Sequence, residues 1–205
     1  MVEHYGAEVI LIHDAGNIGD CIEECLQTAL RMQREDPRVF VPQQFENPNN
    51  VDIQRRQTGM EILEQVNGPI HGFCSGIGTG GTITGIGETL KAANPDMEIW
   101  AVEPEHAAIL SGGSIGTHLQ MGIGDGLIPA ILNQNIYNDI CIVKDEEALT
   151  TARRLASEEG IMCGISSGTN VAAAIKLAKK LGKGKTVVTV LPDTAERYFS
   201  TPLFE

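Results

Sequence analysis

Ser75-Gly76-Ile77-Gly78-Thr79-Gly80-Gly81-Thr82-Ile83-Thr84-Gly85 is the stretch on which the reading of this chain turns. It separates the apolar run Ile70-His71-Gly72-Phe73-Cys74, which reads as a buried strand, from residues 82–93, which read as a helix. Glycines let the main chain come close to a ligand, and threonine hydroxyls donate further hydrogen bonds. The first N–H groups of a helix have no intrahelical acceptor and sit at the positive end of its dipole. A strand, this loop and a helix start therefore make a cradle for a phosphate dianion. A phosphorylated small molecule is the expected ligand.

Outward from the loop, strand and helix patterns alternate. Residues 8–12, 39–41, 98–102, 140–143 and 186–191 read as strands. Residues 17–33, 51–66, 146–159 and 171–180 read as helices, the third opened by Asp145. Such alternation predicts an α/β fold, a mainly parallel twisted sheet with helices on both faces. Residues 104–129 are longer than an ordinary connection and rich in glycine, the mark of a functional loop.

Composition bounds the partners. A chain of 205 residues, 42% hydrophobic and 20% charged, can bury a real core. Lys and Arg total 15 against 27 Asp and Glu, a formal charge of −12, and no basic run is present, which excludes nucleic acid and anionic membrane surfaces. No apolar run approaches the roughly 20 residues that span a bilayer. Glu3 and His4 stand where a signal peptide would be basic, so a cytoplasmic location is expected. Cys21, Cys25, Cys74, Cys141 and Cys163 form no Cys-x-x-Cys pair and are odd in number; they read as reduced core thiols, with neither a metal nor a disulfide framework. His118 reads as a loop-packing residue, and Glu23-Glu24 and Glu158-Glu159, adjacent in sequence, do not form acid-base pairs.

Pattern alone leaves two ligands open. Gly76-x-Gly78-x-x-Gly81 satisfies the dinucleotide fingerprint, and Glu103 ends the next strand where a ribose-binding carboxylate would sit, so an NAD-binding module is one reading. Thr79, Thr82 and Thr84 supply more hydroxyls than a pyrophosphate resting on backbone requires, and a compact phosphate monoester suits them better.

Further segments occur in order around the loop: Pro42-Gln43-Gln44-Phe45-Glu46-Asn47-Pro48, Val102-Glu103-Pro104, Leu110-Ser111-Gly112-Gly113, Gly122-Ile123-Gly124, Gly164-Ile165-Ser166-Ser167-Gly168 and Leu191-Pro192-Asp193-Thr194-Ala195-Glu196-Arg197-Tyr198. Together they resemble cysteine synthase, the O-acetylserine sulfhydrylase branch of the fold type II pyridoxal-phosphate enzymes. The resemblance implies that Gly78, Thr79, Gly80, Gly81 and Thr82 cup the phosphate of pyridoxal phosphate. It gives Ser167 the pyridine nitrogen, with Ser166 as the other candidate, and leaves one of the two serines to cap the helix. Gln44 would lie near the carboxylate of an amino-acid substrate, and Gly122, with Gly124, would line a close approach to the cofactor. Residues 1–42 would be a remnant of the family's small domain and 43–205 its large cofactor-binding domain. A homodimer is implied.

The departures carry equal weight. In the family, an N-terminal part supplies the Schiff-base lysine and the loop that holds the substrate carboxylate; none of the seven lysines here stands in that motif. No catalytic residue is assigned, cofactor retention is expected to be weak or absent, and the chain alone is expected to turn over negligibly. Ala195 replaces a family glycine, Asp125 a small residue beside the cofactor, and Ser114 and Leu119 stand where the family often has lysines, which argues against serine acetyltransferase as a partner. The function implied is PLP-dependent β-replacement, forming cysteine from O-acetylserine or another activated serine and sulfide. The alternative is a non-catalytic pseudoenzyme that binds a phosphorylated ligand or a protein partner.

Overall fold

The computed structural model describes residues 2–13 and 18–205. Strands β1 (Gly72–Gly76), β2 (Glu98–Pro104), β3 (Asp139–Val143) and β4 (Val187–Thr189) form one parallel sheet in the order β3-β2-β1-β4. Successive side chains of a strand point to opposite faces. Phe73 and Cys74, both fully buried, accordingly anchor different cores. On one face Phe73 and Ile99 pack with Ile83, Ile86 and Leu90 of helix α4 (Gly81–Ala93). On the other, Cys74, Val102 and Val143 meet Ala148 of α5 (Asp145–Glu159) and Ile165, Ala173 and Leu177 of α6 (Ile165–Leu181). A strand covered on both sides reads as a continuous apolar run, which is why β1 was legible.

The chain winds outward from β1 through β2 to β3 and then returns to β4 on the other side of β1. The strand order thus reverses between β1 and β4, and in open parallel sheets ligands bind outside the carboxyl ends of the strands at such a reversal. The glycine loop leaves β1 at that point.

The helix expected over 51–66 is observed as α2 (Asn49–Ile53), a single π turn (Gln54–Thr58) and α3 (Gly59–Gln65). The π turn has a local cause. A Cβ on Gly85 of α4 would lie 2.7 Å from Gln54 Cβ, and Thr89 Oγ1 donates to the Arg55 carbonyl at 2.9 Å. A neighbouring side chain thus takes up a carbonyl of the widened turn.

Several expectations are corrected. Residues 8–12 and 39–41 are not strands: they have no ladder partner among the described residues, and Ile10, Leu11 and Phe40 are exposed. Composition supplied the preference, but a strand exists only if another strand takes its backbone groups. Helix α1 (Ile18–Glu35) matches the helix expected over 17–33, whose first residue lies outside the described ones. Helix α6 starts at Ile165, six residues earlier than expected, with Gly164 as its N-cap and no side-chain cap, so neither Ser166 nor Ser167 caps it. Asp145 does not cap α5; Lys144 holds that position, and the Asp145 carboxylate accepts from Leu119 N–H at 2.9 Å and Gln120 Nε2 at 2.8 Å. Cys25 is exposed, whereas Cys74, Cys141 and Cys163 are buried.

Candidate functional site

A cavity of about 1080 Å³ opens at the carboxyl ends of β1 and β4. Of the residues singled out from the sequence, Gly78, Thr79, Gly80, Thr82, Gln44 and Gly122 line it; Gly81 and Ser167 do not. The loop can be built only with glycine at its tightest points. A Cβ on Gly78 would lie 2.6 Å from the Gly122 carbonyl oxygen, and one on Gly81 would lie 2.6 Å from Asn50 Cγ. Gly80 has φ +81°, which glycine adopts without cost. Among the described residues no hydrogen bond takes up the N–H groups of Gly78, Thr79 or Gly80, and the Gly81 N–H has only Thr79 Oγ1 at 3.5 Å. These donors sit at the N-terminus of the thirteen-residue helix α4, where an anion is favoured.

Three amide side chains hold the loop, and the sequence motifs assign a role to none of them. Asn50 Nδ2 donates to the Gln44 carbonyl at 2.8 Å and to Thr79 Oγ1 at 2.9 Å, tying the Gln44 segment to the cup. Beside it, Gln43 is the one non-glycine residue with positive φ among those described, at 49°, a strained backbone directly before a cavity-lining residue. Asn170 is buried; its Oδ1 accepts from Gly76 N–H at 2.7 Å and its Nδ2 donates to the Val190 carbonyl at 2.9 Å, clamping the ends of β1 and β4 together. Gln120, fully buried, donates to the Val143 carbonyl and Asp145 and accepts from Thr169 Oγ1 at 2.8 Å, which fixes the loop carrying Gly122. Each is an amide needing partners of both kinds.

The two serines divide. Ser167 Oγ is sealed from solvent with no hydrogen-bond partner. Ser166 lies four residues before Asn170 on α6, hence on the same face, one turn nearer the helix start. Asn170 lines the cavity.

The ionisable groups sort clearly. Glu103 is buried and accepts from Leu110 N–H at 2.7 Å, Ser111 N–H at 3.1 Å and Ser111 Oγ at 2.8 Å, so it clamps its own loop and is not free to bind a ribose. His118 packs within its loop: Nδ1 accepts from Gln120 N–H at 3.1 Å, which leaves Nε2–H to face the Gly124 carbonyl at 3.3 Å. Burial pushes the Cys74 thiol up to about 12 and raises the Asp125 carboxyl, which His118 partly offsets. No lysine lines the cavity; Lys91 is spent on the Ile136 carbonyl, Lys176 on Glu147 and Lys180 on Glu98. Among the described residues no group of His, Cys, Asp and Glu is arranged to hold a metal, and no helix is long and apolar enough to cross a membrane.

Residues 1–193 match the family of pyridoxal-phosphate dependent enzymes, and the chain belongs to that family. It is 46% identical over all 205 residues to the cysteine synthase of Staphylococcus aureus, of which it spans 64%. Among solved structures it is similar to the cysteine synthase of Entamoeba histolytica, with 38% identity, a TM-score of 0.87 and coverage of 98% of this chain and 59% of that one. It is also similar to the O-acetylserine-dependent cystathionine β-synthase of Helicobacter pylori, with 34% identity, a TM-score of 0.84 and coverage of 88% and 58%. The chain thus spans less than two thirds of the length of these relatives.

The residues present fit the family's cofactor. The unpartnered N–H groups and the cradle that a Gly78 Cβ would close suit a phosphate monoester, and the large cavity beyond them suits an aromatic ring with an amino acid attached.

Proposed function

We propose that this chain forms the cofactor-binding part of a cysteine synthase that makes cysteine from O-acetylserine, or another activated serine, and sulfide. The observation that carries the reading is the glycine cup at the α4 N-terminus, opening into the cavity at the strand-order reversal. Pyridoxal phosphate, when bound, supplies an electron sink for chemistry at the amino acid's α-carbon. The chain's own part is binding and orientation. Gly78 to Thr82 would hold the phosphate through backbone N–H and threonine hydroxyls, and Gln44 and Gly122 would stand beside the substrate. The resemblance gives the ring nitrogen to Ser167; neither serine lines the cavity, and we assign that contact to Ser166, which shares the α6 face of the cavity-lining Asn170, while Ser167 Oγ is sealed from solvent. The group that anchors the cofactor covalently and moves the α-proton is proposed to come from the part of the fold that the relatives have and these 205 residues do not span, because no lysine here lines the cavity.

On the same reading, residues 1–42 belong to the smaller lobe and 43–205 to the larger, the protein is a cytoplasmic homodimer with a small amino-acid substrate, and Ser114 and Leu119 argue against serine acetyltransferase as a partner. Treating the chain with pyridoxal phosphate, reducing with borohydride and mapping the peptides tests the assignment. Scattered, substoichiometric lysine labelling is expected; one stoichiometric phosphopyridoxyl-lysine among the seven would overturn it.

A further inference from the structure

Asp125 is a departure that the proposed reaction has not used. It lines the cavity, and its Oδ2 lies 3.4 Å from where a Cβ on Gly78 would stand, so the carboxyl sits against the rim of the phosphate cup. Among the described residues no hydrogen bond or ion pair takes it up. His118, on the same loop, is the nearest compensating group, and both its ring nitrogens face the backbone of that loop. From α3 the cavity receives Glu61 and from α1 Cys25; no Lys, Arg or His lines it. Among the described residues the wall therefore carries two carboxyl groups and no cation, in a chain of formal charge −12.

A half-buried carboxyl beside a dianion site acts on whatever approaches next. An anionic nucleophile would meet the cofactor phosphate and a carboxylate together, whereas a neutral one would meet a proton acceptor. Resting on the proposed β-replacement, we propose that Asp125 is a charge filter: it turns away anionic nucleophiles and admits an un-ionised thiol or dihydrogen sulfide, whose proton it accepts. In that sequence the α-proton leaves to the group proposed to move it and the C3–O bond breaks with its electron pair on the acyloxy group; the S–H proton then passes to an Asp125 carboxylate oxygen as the sulfur electron pair forms the C3–S bond. The α-proton returns to the α-carbon, and Asp125 gives its proton to solvent. Nothing is oxidised or reduced.

The test uses the full chain, wild type and Asp125→Asn, with Asp125→Ala as a second variant, and reads binding by amide NMR. Sulfate, which stays dianionic across the range, probes the cup; iodide, a monoanion similar in size to hydrosulfide, probes the space beside it. As Asp125 ionises with rising pH, the wild type should lose about tenfold in affinity for both anions, and both variants should change less than about twofold. Carbon-13 titration should also find the Asp125 carboxyl above the ordinary aspartate range. Parallel profiles in wild type and variants, or an ordinary Asp125 titration, overturn the filter and leave the cup reading standing. No sulfate binding by any of the three proteins at any pH overturns the cup reading, and the filter with it.

Discussion

Replacing Asn170 with alanine should cost about as much as truncating a buried apolar side chain nearby, because it orphans two groups at once. Gly76 N–H loses its acceptor at 2.7 Å and the Val190 carbonyl its donor at 2.9 Å, while the side chain that served both is 1% exposed. An unsatisfied buried group costs about 1–3 kcal/mol. The cavity borders this clamp, so water can reach part of it and the sum falls to about 2–4 kcal/mol. With a urea m-value of about 2 kcal/mol/M, the unfolding midpoint should drop by about 1–2 M. Asn170→Asp separates hydrogen bonding from packing: it keeps an acceptor for Gly76 but sets a carboxylate against the Val190 carbonyl, and should be no better than alanine at neutral pH. A midpoint within about 0.3 M of wild type for Asn170→Ala would refute the clamp.

Other expectations follow from the same contacts. Gly78→Ala puts a methyl 2.6 Å from the Gly122 carbonyl oxygen and should destabilise by about 1–3 kcal/mol while abolishing sulfate binding by calorimetry; unchanged binding would contradict the cradle. Glu103→Gln turns one of two accepting oxygens into a donor facing N–H or hydroxyl groups and should lower stability by about 1–3 kcal/mol in thermal or urea melts, with no effect on any nucleotide titration. Because burial raises the Cys74 thiol from 9.0 to about 12, the unfolded thiol ionises first, so stability from this group is intact below about pH 9 and is lost as pH rises toward 12. Cys74→Ala should flatten that alkaline loss in urea melts, and in native alkylation Cys25 should react before Cys74.

The sequence disclosed most where a rule is local. The glycine loop, the buried run that became β1 and the helix after it rest on backbone freedom and periodicity, both readable in a window of residues. What failed depended on partners distant in sequence. Residues 8–12 and 39–41 have the composition of strands but no ladder. Asp145 has the composition of a cap, yet its carboxylate serves Leu119 and Gln120, some 26 and 25 residues away. At the site, the cavity-lining Gly78, Thr79, Gly80 and Thr82 were accessible through the glycine loop and Gln44 and Gly122 through the resemblance, whereas Gln54, Thr58 and Glu61 were not. The clamps that hold them, Asn50 to Thr79 across 29 residues and Asn170 to Gly76 across 94, were not, since a lone asparagine carries no period. Ser166 and Ser167 show the same limit at the smallest scale: only the helix register says which hydroxyl shares a face with Asn170.

Cysteine formation from O-acetylserine and sulfide, measured for this chain alone and after adding a domain that carries the family's lysine segment, bears on the central claim most directly. The chain alone should stay at the uncatalysed rate, and the mixture should gain at least the 10²–10⁴-fold, roughly, that a positioned proton-transfer group contributes. Gly81→Asp, which sets a carboxylate against the cup and presses on Asn50, should abolish that gain. Cysteine formation by the chain unaided, or a complemented activity indifferent to Gly81→Asp, would contradict the account.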